Sequence, residues 1–319
     1  MTINSKYFYG SSIKGFSSVK CGCWSLLIEH PSGRKLLYDL GMRKDYSGCA
    51  PASGVSQLVE KGVSVANILV EGDIDLESID GVIWSHYHFD HSGELAAFPT
   101  VTKLIVGEGT KEIILPGYPA NPKAPTLASD IEGREVLEIK FDGQATICGF
   151  RAYDYFGDGS LYLLDTPGHC VGHLNALART SVNPPEFIHM CGDSAHHCGE
   201  IRPSFHVPLP DDINPSPLSD LHQGSCPCGV FSTILRNGSK DDHILEAVAS
   251  FVDEHEFRKT IKGLEVIDAA DEVLTVLAHD WTLKGIIDEW PKALNGWKAK
   301  GWKAGARWKF LGDFKAAGI

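Results

Sequence analysis

The sequence predicts a mixed α/β fold in which strands form the centre and helices pack outside them. Three observations predict it. Short apolar runs with strand character dominate the first two thirds of the chain. A segment with helical spacing follows at 241–254. The two kinds of element do not alternate regularly, which fits antiparallel strands covered by helices better than a doubly wound parallel sheet. The chain has 319 residues, 43% of them hydrophobic, enough for a large core in one domain or two small ones.

The elements follow in order. "CWSLLIEH" (23–30) and "KLLYDLG" (35–41) flank Pro31-Ser32-Gly33, a turn signal between two strands. "GVIWSH" (81–86), "TKLIVGE" (102–108), "EVLEIKF" (135–141), "ATICGFRAYDY" (145–155), "SLYLLDT" (160–166) and "EFIHMCGD" (186–193) read as further strands. In "DDHILEAVASFVDE" (241–254), Ile244, Leu245, Val248 and Phe251 recur at helical spacing after acidic residues suited to a helix start. "DEVLTVLAHD" (271–280) returns to strand character. Residues 195–240 are rich in Pro, Gly, Ser and Asp and lack periodicity. They read either as a lid over a binding site or as a surface insertion.

Charge and cysteine usage exclude several classes. The net charge of −12 disfavours nucleic acid as a partner. The first residues contain no apolar run of signal-peptide length, and no stretch approaches the roughly 20 apolar residues of a membrane span. The expectation is a soluble, cytoplasmic protein with no membrane partner. Nine cysteines, an odd count in a long chain, point to reduced thiols and not to a disulfide framework.

"SHYHFDH" (85–91) concentrates coordinating groups. His86 and His88 share one face if the chain stays extended there, and Asp90 and His91 reach a neighbouring point. Two adjacent metal positions are the natural reading, since imidazole and carboxylate suit zinc, manganese, iron or cobalt. Three other strands also end in a ligand type: His169 after "LYLLDTPG", Asp193 after "EFIHMCG" and His279 after "VLTVLA". Together they supply five histidines and two aspartates.

The motifs "LLYDLG", "SHYHFDH", "TPGHCVGH", "CGDSAH" and "LAHD", in this order from 36 to 280, resemble those of the metallo-β-lactamase-fold hydrolases. The resemblance implies a single domain over 1–319, an αββα sandwich of two mixed sheets flanked by helices. It implies that His86, His88 and His169 hold one divalent ion, that Asp90, His91 and His279 hold a second, and that Asp193 bridges them. Zn2+ is expected, with Mn2+, Fe2+ or Co2+ as alternatives. Asp39 would support the metal-binding loop from behind, and His173 would be structural. Keeping both Asp90 and His91 argues for two ions, and H-x-H-x-D-H argues for hydrolysis over redox work.

The expected reaction is attack on a carbonyl by a hydroxide shared between the ions, with Asp90 carrying a proton to the leaving group. The lactonase-like branch is the nearest resemblance and implies a small cyclic ester as substrate. A cyclic amide such as a benzoxazolinone-type γ-lactam is the alternative, and a thioester is more remote. A non-enzymatic binding protein on the same fold is the rival class. Many lactonases place a tyrosine where this chain has His196, which either donates a hydrogen bond to substrate or faces solvent; His197 has a weaker claim. The spacing of Cys226 and Cys228 with Cys198 does not match a zinc pattern. The Trp- and Lys-rich residues 290–319 are expected to pack their aromatics on the body, and a homodimer is left open.

Overall fold

A computed structural model describes residues 2–9, 13–46, 48–55, 62–143, 145–248 and 250–317. Residues 1 and 10–12 of the amino-terminal stretch, 249 of the expected helix and 318–319 of the carboxyl-terminal segment lie outside them. In chain order the strands are β1 (Thr2–Asn4), β2 (Ser18–Lys20), β3 (Leu26–Glu29), β4 (Lys35–Tyr38), β5 (Gly81–Ile83), β6 (Lys103–Val106), β7 (Val136–Glu138), β8 (Thr146–Ile147), β9 (Phe150–Asp154), β10 (Leu161–Asp165), β11 (Leu174–Val182), β12 (Pro185–Met190), β13 (Asp212–Ile213), β14 (Cys226–Pro227) and β15 (Val273–Val276). The α-helices are α1 (Val65–Glu71), α2 (Phe89–Ser92), α3 (Thr110–Ile114), α4 (Ala128–Ile131), α5 (Glu254–Ala269) and α6 (Trp302–Ala306).

Two sheets face each other. One has the order β3-β4-β5-β6-β7 and the other β15-β12-β11-β10-β9-β8. Alternation along the strands explains the layers. Leu36 and Tyr38 of β4 turn inward, where they join Ile83, Leu163, Leu174, Met190 and Val276 in the core between the sheets. Leu37 points the other way, with Val82 and Leu104, and packs on Ala66 and Leu69 of α1 and Ile114 of α3. On the far side Leu164, Leu177 and Val273 pack with Ile267 of α5. The result is the expected αββα sandwich. A fully buried Leu contributes about 2 kcal/mol by leaving water, so these alternating faces set the register of the sandwich.

Three expectations need correction. The first sheet is not mainly antiparallel, because β4, β5, β6 and β7 run parallel. The run 145–155 is not one strand: Cys148 (φ 48°) and Gly149 (φ 89°) turn it into a β8–β9 hairpin. Among the described residues of 241–253 the expected helix does not form, and the long helix begins only at 254. Three backbone N–H groups of this stretch serve other segments. Leu245 N–H donates to Gly199 O, Val248 N–H to Phe8 O and Val252 N–H to Gly168 O, so the i to i−4 ladder cannot form. Asp253 then caps α5 by accepting from Glu256 N, with Glu254 and Glu256 in the first turn.

Residues 195–240 contain β13 and β14 and contribute Val207, Leu209, Ile213 and Phe231 to a core shared with Trp308, Phe310 and Phe314. Trp297 and Trp302 are buried as well, against the inter-sheet core. Among the described residues no helix is long and apolar enough to cross a membrane.

Candidate metal centre

Strand ends converge on one edge of the sandwich. β12 and β15 run parallel with Met190 opposite Val276. Asp193 and His279 each lie three residues past that pair, so they emerge at the same level. The turn that carries Asp193 needs Gly192: its φ is 48°, and a Cβ there would meet Ser85 Cβ at 2.7 Å and His173 Nε2 at 2.8 Å. His169 comes from the β10–β11 connection, and the 86–91 stretch follows β5. The two sheets are tied at this edge by Leu174 N–H donating to Ser85 O and Tyr38 O–H donating to Leu174 O.

His169 Nε2 lies 3.2 Å from His86 Nε2 and 3.1 Å from His88 Nδ1. Asp193 Oδ1 lies 3.0 Å from His91 Nε2 and 3.1 Å from His279 Nε2. Asp193 Oδ2 lies 3.8 Å from His86 Nε2 and 3.6 Å from His169 Nε2. Asp90 Oδ2 is 3.5 Å from His279 Nε2. All seven residues singled out from the sequence as ligands are therefore together, in two groups that meet at the Asp193 carboxylate.

The outer ring nitrogens are anchored. His169 Nδ1 donates to Ser250 O at 2.7 Å and His279 Nδ1 to Gly22 O at 2.7 Å. His91 Nδ1 donates to Asp39 Oδ2 at 2.8 Å, and His86 Nδ1 lies 3.0 Å from Ser85 Oγ. Anchoring of this kind places the proton on the outer nitrogen and leaves a lone pair facing inward. Burial pushes His86, His88 and His169 below the ordinary imidazole range, which keeps them neutral. Burial opposes charge on His91 and His279 too, but Asp193 raises both.

These residues fit a pair of cations. The inward nitrogens of His86, His88 and His169 converge to 3.1–3.2 Å, and that spacing is close to the roughly 3.3 Å edge of a tetrahedron with bonds of about 2.0 Å. His91 Nε2 and Asp193 Oδ1 are buried and make no hydrogen bond despite lying 3.0 Å apart. Converging donors left unsatisfied in this way are what a divalent ion completes.

Asp39 is buried behind the site at φ 57°. It accepts from Ser85 N–H at 2.6 Å, from Ser85 Oγ at 2.8 Å and from His91. His173 accepts from Asp193 N–H at 3.0 Å, and burial carries its pKa down to about 3. His196 faces the site and not solvent: it is buried, its Nε2 lies 3.3 Å from Asp193 Oδ2, and its Nδ1 has no partner. Its ring packs between Phe8 and His279, at 5.0 and 5.8 Å. His197 instead accepts from Gly199 N–H and meets Asp313 at 3.1 Å, away from the centre.

A cavity of about 440 Å³ opens over these groups. Asp90, Asp193 and His196 lie on its polar side, and Ile3, Phe8, Phe89, Phe251 and Val252 on its apolar side. Sequence reasoning missed the apolar wall. Ile3 and Phe8 lie far from any motif, and Phe251 sat in the wrongly expected helix. It also missed the Ser250 and Gly22 carbonyls, which carry no side-chain signal, and Cys170, whose thiol groups with His86, His88 and His169. Within 195–240, the cavity lining includes His196 alone.

The model of the Metallo-beta-lactamase superfamily matches residues 19–175. The chain is 41% identical over 318 residues to Gamma-lactamase FDB1 of Fusarium pseudograminearum, covering 95% of this chain and 76% of that protein. It is 39% identical over 325 residues to Metallo-hydrolase mfmC of Annulohypoxylon moriforme, covering 99% and 85%. Among solved structures, B. thuringiensis AiiA with N-decanoyl-L-homoserine at its active site superposes with a TM-score of 0.58, covering 91% of this chain and 94% of that one at 16% identity. That likeness is one of fold.

Proposed function

Because the chain belongs to the metallo-beta-lactamase superfamily, we propose that this hydrolase opens the ring of a small cyclic amide, a γ-lactam, at the Asp193-centred site. The observation that carries the reading is the pairing of two histidine sets on the Asp193 carboxylate beneath a half-apolar cavity of about 440 Å³. That volume suits a small molecule. The amide is favoured over the ester by the gamma-lactamase relative, alike along nearly the whole chain.

His86, His88 and His169 would hold one ion and Asp90, His91 and His279 the other, with Asp193 between, and Zn2+ suits this donor set. Bound there, two divalent ions would supply Lewis acidity and lower the pKa of water. The chain's own groups do the rest. Asp90 lies at the cavity wall, and its role there would be to protonate the leaving nitrogen, which an amide needs protonated more than an ester needs its oxygen protonated. Asp39, Ser85, Ser250 O and Gly22 O hold the imidazoles in orientation. His196 lines the cavity with its Nε2 3.3 Å from Asp193 Oδ2, and from there it would meet a substrate carbonyl held over the centre. The wall of Phe8, Phe251 and Val252 would receive the apolar part of the substrate.

Matched five-membered lactams and lactones, assayed with metal-reconstituted protein, test the reading. Lactam turnover with weaker lactone turnover is expected. Lactone opening alone would replace the cyclic amide by the cyclic ester, and no turnover at full metal content would leave a binding protein on a hydrolase fold.

A further inference from the structure

The second sheet buries polar groups that the proposed reaction does not use. Alternation along β11 and β12 turns Asn175 and His189 toward the face of Leu177 and Phe187, an apolar layer against Ile267 of α5. Both are fully buried. Polar groups there cost free energy unless they are hydrogen-bonded. We infer that Asn175 is a positioning residue for the Asp193 carboxylate, acting through two bonds to its one side-chain oxygen. The inference rests on Asp193 standing between two ions, and not on which ring is opened.

Asn175 Oδ1 accepts from Thr166 Oγ1 at 3.1 Å and from Ser194 Oγ at 2.8 Å. Ser194 directly follows Asp193. Thr166 Oγ1 lies 2.9 Å from His173 Nδ1, and His173 Nε2 accepts the Asp193 N–H at 3.0 Å. Because Nε2 accepts, the neutral ring carries its proton on Nδ1. That N–H donates to Thr166, whose own proton goes to Asn175. On the far side Asn175 Nδ2 donates to His189 Nε2 at 3.1 Å, and His189 Nδ1 lies 3.4 Å from Cys191 Sγ. All six residues of this chain of contacts are buried, so water does not compete for its bonds. Asp193 is thereby held on both sides, its own N–H by His173 and the next residue by Asn175. Its two carboxylate oxygens each face a different histidine set at 3.0–3.8 Å. A shift of the turn would take one oxygen away from its set.

Competition of the zinc-loaded full chain with a chromogenic chelator tests this, together with nitrogen NMR of its histidine rings. Thr166→Val removes one hydroxyl at nearly constant shape, and Ser194→Ala removes the other. Each should weaken at least one ion by roughly 10- to 100-fold, and Asn175→Leu should do the same. Thr166→Ser keeps the hydroxyl and should restore the affinity of the unaltered chain. The His173 proton should sit on Nδ1 in the unaltered chain and lose that preference in Thr166→Val. A network that served folding alone would lower the melting temperature of Thr166→Val and Ser194→Ala and leave their metal affinity unchanged. That result would overturn the inference, as would an Nε2 proton on His173 of the unaltered chain, and these two variants decide it should Asn175→Leu fail to fold. At most one zinc in the unaltered chain would instead overturn the two-ion reading on which the inference rests.

Discussion

Asp39 Oδ2 and His91 Nδ1 lie 2.8 Å apart, both fully enclosed, and the same carboxylate holds the Ser85 N–H and hydroxyl. Asp39 reaches them from a backbone φ of 57°, a conformation costly for a residue with a Cβ. One carboxylate thus fixes both the orientation of His91 and the start of the loop bearing His86 and His88.

Asp39→Asn should therefore weaken the second ion more than the first. The amide cannot accept all three hydrogen bonds, and losses of roughly 10- to 100-fold in metal affinity are typical for such supports. Competition with a chromogenic chelator reads this out. Unchanged affinity for both ions would mean that Asp39 matters only for folding.

Asp193→Ala should lower the metal content from about two equivalents per chain and abolish turnover of every substrate, because the Asp193 carboxylate lies 3.0–3.8 Å from ring nitrogens of both sets, His91 and His279 on one oxygen and His86 and His169 on the other. Elemental analysis beside activity checks it. Full activity in the variant would overturn the site assignment.

Asp90→Asn should separate amide from ester. Loss of general-acid action costs roughly 10²- to 10⁴-fold, and the loss should be larger for a lactam than for its matched lactone. An equal loss on both, with reduced metal, would assign Asp90 to ligation alone.

His196→Phe keeps a ring between Phe8 and His279 while removing its nitrogens. The expected outcome is unchanged metal content with kcat/KM down by roughly 10- to 100-fold. Undiminished turnover would make His196 a packing residue.

Acid should weaken the fold through Asp268. Burial alone would raise its carboxyl, but Arg202 at 2.5–2.7 Å and the neighbouring cations hold it at about 2. A carboxyl with a depressed pKa stabilises the fold above its unfolded value of about 4 and loses that contribution as pH falls toward 2. The shift corresponds to about 2 kcal/mol. In Arg202→Met, chemical denaturation at neutral pH should show a loss of about 3–5 kcal/mol, since one buried charge is left unpaired. A stability profile flat between pH 4 and 2 would contradict the pairing.

The ligand types were legible in the sequence because coordination needs particular side chains at strand ends, and His86, His88, Asp90, His91, His169, Asp193 and His279 each follow an apolar run. The αββα order was legible through the motif series, and Asp39 through its place in "LLYDLG". β11 was missed because "LNALARTSV" is poor in β-branched residues and gains its strand character from pairing on both sides. The helix was misplaced because the apolar spacing of 241–252 serves packing, while its backbone bonds go to Gly199, Phe8 and Gly168. Side-chain chemistry and local pattern were thus set by the sequence itself. Only the tertiary structure decided that His196 faces inward, that Ser250 O and Gly22 O orient two imidazoles, and that Phe8 and Phe251 form the opposite wall. The physical reason is that these contacts join residues up to 257 positions apart through backbone atoms and packing, neither of which leaves a pattern along the chain.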